Sequence, residues 1–175
     1  NLLQHLDIKI LQIKKTKNIH LNFPNRCKSL ISLFIYKCDI LESISPLSAT
    51  NVIYLNLSNL NKIQDLSFVK RSRIKHISLD SLPNLKSLSA LEGLPINTLR
   101  LVDLPMIRDF HVLSNLKQVK KIIIKNCNID NIEFLRGLNV EELQIEGGES
   151  IDARIIAKLP LKKLVLINCK FSKHE

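Results

Sequence analysis

The sequence predicts an α/β solenoid, a stack of similar coils that share one parallel β-sheet. The first observation is an apolar-x-x-apolar-x-apolar pattern that occurs eight times in 175 residues. The second is its regular interval, because the successive units begin 22, 22, 22, 22, 23, 21 and 21 residues apart. The units start near Ile8, Leu30, Val52, Ile74, Ile96, Val119, Val140 and Leu161. Such short units cannot bury their apolar side alone and must stack on their neighbours.

Each unit is predicted to begin with a short strand. We number positions from the first apolar residue of each unit. Since strand side chains alternate, positions 4 and 6 point into the core and positions 3, 5 and 7 point outward. The sixth unit shows the consequence, because Ile122 and Ile124 are core residues whereas Ile123 lies outward between Lys121 and Lys125.

Further apolar residues follow the strand near positions 9, 12, 15, 18 and 21. In the fourth unit these are Leu82, Leu85, Leu88, Leu91 and Leu94. With segments such as ESISPLS, QDLSFVK and KSLSALEGL, the pattern resembles the leucine-rich repeat. It is similar to the internalin-like and phosphatase-regulator-like classes, whose repeats have about 22 residues. The resemblance implies a horseshoe with a parallel β-sheet on its concave face and irregular or 3₁₀ segments on its convex face.

Position 9 departs from the pattern of that family, which usually places asparagine there to bond the next coil. This chain has cysteine or leucine instead, at Cys38, Leu60, Leu82, Leu104, Cys127 and Cys169. Leucine cannot form such a bond and cysteine forms it only weakly. Some plant immune-receptor repeats also carry cysteine or leucine at this position. We therefore expect a more apolar turn after each strand.

Composition agrees with one leucine-rich-repeat domain over residues 1–175, because 45% of the residues are hydrophobic and no linker is visible. The four cysteines are predicted to be free thiols. Cys127 and Cys169 lie two coils apart, which is about 10 Å and beyond the reach of a disulfide. Free, buried thiols favour an intracellular, reducing compartment, the cytoplasm or the nucleus. No apolar run is long enough to cross a bilayer.

The sequence favours no enzymatic activity. It contains no dinucleotide-binding, phosphate-loop, zinc-protease or nucleophile-elbow motif. Its five histidines fall on different units and different faces, and no Cys-x-x-Cys pair indicates a metal site. We expect no cofactor, no metal ion and no small-molecule substrate.

Three of the eight aromatic residues occupy outward positions on adjacent units, and they are Phe34, Tyr36 and Tyr54. Exposed aromatic groups often anchor protein interfaces, so this group is the predicted hot spot. An equally weighted alternative is that these rings pack over neighbouring coils or beneath an N-terminal extension. The predicted protein-binding residues are Phe34, Tyr36, Tyr54, His76, Arg100, Lys121, Ile123 and Lys125.

Charge indicates a second candidate surface. The chain has 26 basic and 16 acidic residues, a net charge of +10 and a pI of about 9.6. Basic residues concentrate just before each strand and at its start, in a ridge interrupted at Glu141 and Glu142. The candidate nucleic-acid-binding residues there are Arg73, Lys75, Lys117, Lys120, Lys121, Lys162 and Lys163. Such a ridge attracts phosphate backbones, anionic membranes or acidic proteins, or it simply keeps an apolar solenoid soluble.

These observations predict a non-enzymatic module that binds a protein through its concave sheet. Two alternatives stay open. One is an RNA-associated module that docks in a large ribonucleoprotein assembly through the basic edge. The other is the sensing repeat region of a longer receptor.

Overall fold

Eight short parallel strands form one open sheet in the computed structural model, which describes residues 7–17 and 27–172. They pair in sequence order with every strand beside the next. The strands are β1 (Ile10–Lys14), β2 (Ser32–Tyr36), β3 (Tyr54–Ser58), β4 (His76–Asp80), β5 (Thr98–Val102), β6 (Lys121–Ile129), β7 (Glu142–Gly148) and β8 (Lys163–Ile167). Each begins at position 3 of a predicted unit, so the predicted α/β solenoid is confirmed.

The register of the sheet is constant. In each of the seven strand pairs, positions 3 to 7 of one unit are the partners of positions 3 to 7 of the next. Only the pairing of β6 with β7 continues further, with a shift between Lys125 and Ile129. Residues 21 to 23 apart in sequence therefore become direct neighbours across the sheet.

The core lies on one side of the sheet and is made by positions 4 and 6. These side chains are buried from the second unit to the seventh, for example Leu33, Ile35, Leu57, Leu79 and Ile124. In the last described unit Leu164, at position 4, is 44% exposed. The reason is that β8 pairs with only one strand of the described sheet, so a single coil covers it.

A left-handed residue occupies position 8 of every unit; six strands end just before it, and β6 and β7 continue past it. The eight residues have φ between 50° and 82°, and they are Lys15, Lys37, Asn59, Ser81, Asp103, Asn126, Gly147 and Asn168. Several of their backbone N–H groups donate to the position-7 carbonyl of the following coil, for example Asn59 to Asp80 at 2.9 Å. The turn therefore also links successive coils.

Position 9 is buried from the second unit to the seventh, as expected for an apolar turn, and Cys169 in the last unit is partly exposed. Leu60, Leu82 and Leu104 are fully inaccessible. The sulfur atoms of Cys38 and Cys127 donate to carbonyls two residues earlier in their own coil, at 3.4 and 3.3 Å. In these two coils the thiol therefore donates to a carbonyl of its own coil. Backbone N–H groups at position 8 and the pairing of the strands connect successive coils.

Short 3₁₀ segments form the convex side, as the resemblance implied. They are Leu47–Ala49, Ser67–Val69, Ser89–Leu91, His111–Asn115 and Glu133–Leu135, and an α-helix, α1 (Ala153–Ile156), takes this place in the seventh unit. A polar side chain two residues earlier accepts from the first N–H of several segments, as Asp65 does from Ser67 at 2.7 Å. Among the described residues no helix is long and apolar enough to cross a membrane.

The first prediction concerns the core at the centre of the stack. Replacement of Leu79, which is 0% exposed, by alanine should lower the free energy of unfolding by about 2–5 kcal/mol, because both neighbouring coils lose contacts. Urea unfolding followed by circular dichroism measures this. Ser78→Ala on the outward face is the control and should change it by less than about 0.5 kcal/mol. Equal effects of the two substitutions would contradict the assignment of inward and outward positions.

The second prediction concerns the second residue after the 3₁₀ segments of the third, fourth and sixth units, where the backbone is also left-handed. Gly93 and Gly137 adopt φ of 70° and 71° there, but the third unit has Arg71 at 59°. Because glycine has no steric penalty in this region, Arg71→Gly should raise the free energy of unfolding by about 0.5–1 kcal/mol.

The matched control is the neighbouring Lys70, whose φ is −54°. Lys70→Gly removes the same charge at an ordinary backbone conformation and should destabilise by about 0.5–1 kcal/mol. We expect Arg71→Gly to raise the urea midpoint of unfolding relative to the wild type and Lys70→Gly to lower it. A destabilised Arg71→Gly protein would show that the arginine side chain contributes more than its backbone costs.

Candidate functional site

The outward residues of the sheet form three rows that cross all eight strands. The first row is position 3: Ile10, Ser32, Tyr54, His76, Thr98, Lys121, Glu142 and Lys163. The middle row is position 5: Gln12, Phe34, Asn56, Ser78, Arg100, Ile123, Gln144 and Val165. The third row is position 7: Lys14, Tyr36, Ser58, Asp80, Val102, Lys125, Glu146 and Ile167. Aromatic residues gather toward β2–β4 and charged residues toward β4–β8.

The predicted aromatic trio is arranged as two stacks, and a histidine joins it. Phe34 and Tyr36 stack along β2, with ring centroids 6.3 Å apart. Tyr54 stacks on His76 of the next strand, at 4.5 Å and with the two rings nearly parallel at 7°. We call these four residues the aromatic patch. Tyr54 is 44% exposed and the other three are half-buried, so the patch forms part of the accessible sheet surface.

A hydrogen bond to the neighbouring strand holds the His76 ring in place within the patch. Its Nδ1 lies 3.1 Å from the Oγ1 of Thr98, its partner on β5. Burial, and to a smaller degree the charge of Lys75, lower the pKa of His76. The imidazole is therefore neutral at neutral pH and stacks on Tyr54 as an uncharged ring. Burial also raises the pKa of the Tyr36 phenol, which stays protonated.

Asn56 lies at the centre of the aromatic patch. It is the direct partner of Phe34 on one side and of Ser78 on the other, and it shares β3 with Tyr54. Its Oδ1 atom is buried and accepts no hydrogen bond from the described residues. The residue as a whole is half-buried.

The three cations proposed for the concave face are all paired within the sheet. Arg100 contacts Asp80 at 2.7 Å, Lys121 contacts Glu142 at 2.8 Å, and Lys125 contacts Glu146 at 3.8 Å. The hydrogen bond from Lys121 is the main cause of the lowered pKa of Glu142. Ile123 is half-buried in the middle row, between the two lysines. This half of the concave face is therefore largely neutralised by its own ion pairs.

The predicted basic ridge is divided in the structure. Lys120 contacts Glu141 at 3.2 Å, and Lys162 forms a second salt bridge with the same carboxylate. These hydrogen bonds, from Lys162 first, lower the pKa of Glu141. Arg73 is exposed and donates to Asn51 at 3.3 Å. Within the described ranges, the exposed ridge residues without a salt bridge are Arg73, Lys75, Lys117 and Lys163.

These salt bridges were not predicted from the sequence, although the repeat positions of the charged residues indicate them. Lys121 and Glu142 both occupy position 3 of adjacent units, and Lys125 and Glu146 both occupy position 7. Opposite charges at the same position of adjacent units become direct cross-strand partners in a parallel, in-register sheet. No sequence signal indicated the unpaired oxygen of Asn56, since that depends on the rotamers of its neighbours.

In the described part of the chain, no group of three or more histidine, cysteine, aspartate or glutamate side chains is arranged to hold a metal ion. None of the four described cysteines forms a disulfide. No reactive constellation emerges at the aromatic patch, where the surrounding groups are rings, amides and hydroxyls.

The chain matches no protein-family model, and no curated protein matches it. Its structure is similar to that of internalin C2 from Listeria monocytogenes str. 4b F2365, with a TM-score of 0.65 and 20% identity over 85% of this chain and 66% of that one. For internalin F from the same organism the values are 0.51 and 17%, over 84% and 50%. The chain thus spans less than two thirds of either length. The similarity shows the fold, a leucine-rich-repeat solenoid.

The third prediction concerns the thiols. Cys169 is partly exposed, whereas Cys27, Cys38 and Cys127 are buried, and burial raises the pKa of Cys127 to about 11. Since the thiolate is the reactive form, N-ethylmaleimide at pH 8 should modify Cys169 first and Cys127 far more slowly. Mass spectrometry without reductant follows the order and should detect no disulfide-linked pair. In denaturant the four rates should converge, and equally fast native labelling of Cys127 would contradict its burial.

Proposed function

We propose that this chain is a non-enzymatic module that binds another protein through the concave face of its sheet. The observation that carries the proposal is the aromatic patch. Its rings lie on the side of the sheet opposite the core, and Tyr54 keeps 44% of its surface exposed. Partly exposed aromatic groups that make no contribution to the core are typical anchors of protein interfaces.

The two ring stacks support this function energetically. Rings that stack within a strand or between adjacent strands have little conformational freedom left to lose, so a partner would bind a surface that is already ordered. Serine, threonine and asparagine side chains surround them at Ser58, Ser78, Thr98 and Asn56. Rigid aromatic anchors with adaptable polar neighbours are the composition of protein-binding surfaces.

In this proposal, a different role belongs to the other four predicted residues of the concave face, which are Arg100, Lys121, Ile123 and Lys125. Because each cation is already paired with a carboxylate, these residues offer both signs of charge to a partner. Such pairs at the periphery affect orientation and the rate of association more than affinity. We assign the main affinity to the aromatic patch and partner orientation to the charged strands.

Binding of RNA through the basic edge is the second candidate. It is favoured by the exposed side chains of Arg73, Lys75, Lys117 and Lys163, which form no salt bridge with the described residues. It is disfavoured by Glu141, which engages both Lys120 and Lys162 and removes the middle of the ridge. We also propose a reducing compartment as the location, and the absence of a disulfide between the four described cysteines supports it. The sensing region of a longer receptor would use the same concave face.

The fourth prediction separates the two candidates. Affinity capture from native extract, with and without nuclease, identifies the partner, whose affinity for variants is then measured by calorimetry at two salt concentrations. Phe34→Ala and Tyr54→Ala should each weaken binding by about 2 kcal/mol, with little dependence on salt. Val165→Ala, on the same face but outside the patch, is the control and should change the affinity little.

A nuclease-sensitive and strongly salt-dependent partner would instead indicate the nucleic-acid function. A partner that disappears after nuclease treatment, and whose affinity falls log-linearly with salt, binds through phosphates. Replacing Lys75 or Lys117 by glutamine should then reduce the salt slope by about 1 each, and the aromatic substitutions should have no effect. That outcome would overturn the protein-binding proposal.

A further inference from the structure

The aromatic patch contains an unpaired hydrogen-bond acceptor. The Oδ1 atom of Asn56 is buried among side chains of β2, β3 and β4 and accepts no bond from the described residues. Buried polar atoms in folded proteins are almost always paired, so each exception calls for an explanation. A leucine at this place would pack beside Phe34 and Tyr54 without the cost of an unpaired oxygen. The amide is therefore unfavourable for the isolated fold.

The surroundings of the patch are positively charged. Lys14 is the direct partner of Tyr36, Lys37 follows Tyr36 in the chain, and Lys75 precedes His76. All three are exposed, and none forms a salt bridge with the described residues. Positions 3, 5 and 7 of β1, β2 and β3 include no carboxylate. The lowered pKa of His76 agrees with this, since the charge of Lys75 contributes to it.

This charge restricts the donor that could reach Asn56. Lysine or arginine of a partner would be repelled by the three exposed lysines, so the donor is a neutral N–H or O–H group. It must also fit among flat rings, which favour another aromatic ring in a stacked or edge-on arrangement. Tryptophan and tyrosine combine an aromatic ring with one neutral donor. Carboxylates on either side of that residue would complement the lysines.

We propose that the aromatic patch binds an acidic protein segment that inserts a tryptophan or tyrosine beside Tyr54 and Phe34 and donates a hydrogen bond to Asn56. This inference rests on the proposed protein-binding function and adds the chemistry of the partner. The Asn56 amide reaches the donor by rotation about its Cβ–Cγ bond, a torsion with broad, two-fold preferences. This rotation exchanges the places of Oδ1 and Nδ2, so it takes the carbonyl oxygen out of its buried position.

The fifth prediction tests the donor with a defined probe, the blocked peptide Ac-Glu-Glu-Trp-Glu-Glu-NH₂. Added to the isotope-labelled protein, it should cause saturable shifts in the NMR signals of Phe34, Tyr54 and the Asn56 side-chain amide. The same peptide with N1-methyltryptophan cannot donate and should bind about three- to tenfold more weakly, the worth of one hydrogen bond.

Asn56→Leu is the matched variant, because leucine has a similar size and no acceptor. It should bind the two peptides with equal affinity and also unfold at a higher urea concentration than the wild type. Replacing the four glutamates of the peptide by lysines should weaken binding to the wild type, and added salt should reduce that difference because exposed charges are screened. Phe34→Ala should weaken binding of both tryptophan peptides.

Three results would overturn the proposal: no saturable binding of the glutamate peptide, equal affinity of the wild type for both tryptophan forms, or shifts confined to strands outside β1–β4. Each is distinguishable from failure of the proposed function, which the captured partner and the Phe34→Ala and Tyr54→Ala variants test separately. If the captured partner no longer binds those variants but the wild type binds both tryptophan peptides equally well, the protein-binding function stands and the role of Asn56 is rejected. Binding that prefers the lysine peptide would reject the acidic partner.

Discussion

The stacking of each coil on the next is the constraint on which this structure depends. A single coil has inward residues at positions 4 and 6 and a few at the convex side, which is too little to exclude water. Both neighbours are needed, as the difference between Leu79 in the centre and Leu164 in the last described coil shows. Stacking requires the constant register of the sheet, because a shift by one residue would turn the apolar positions outward. The left-handed residue at position 8 interrupts the in-register pairing at the same place in every unit.

The same register determines the surface. Because residues about one repeat apart become neighbours, features of the concave face are properties of adjacent units rather than of local sequence. The Lys121–Glu142 pair and the Tyr54–His76 stack are both same-position pairs on consecutive strands. Polar contacts on other sides of the coil follow the same rule, such as the bond from Lys86 to Gln64 at 3.0 Å. Because the register is the same for every pair of strands, an alignment of the repeats shows which surface residues are neighbours across the sheet.

This explains which parts could be predicted from the sequence. Strand positions and the division into inward and outward residues follow from alternation, and Ile123 between Ile122 and Ile124 was assigned correctly for that reason. The turn at position 8 could have been recognised, because Asn59, Asp103, Asn126, Asn168 and Gly147 all tolerate a left-handed backbone. Lys15 and Lys37 carry no such signal, and only the repeat places them there. The unpaired oxygen of Asn56 could not be predicted, because it depends on side-chain rotamers that a pattern of residue types does not specify.

The two halves of the concave face differ in how completely their polar groups are satisfied. From β4 to β8, opposite charges meet across the strands, and Arg100, Lys121 and Lys125 each have a carboxylate partner. From β1 to β4, the face has an exposed tyrosine, three lysines without salt bridges among the described residues and a buried amide oxygen without a donor. Local choices that do not favour the isolated fold tend to gather where a protein meets its partner. That contrast, rather than the number of aromatic residues, is the reason that we propose a binding site on the first four strands.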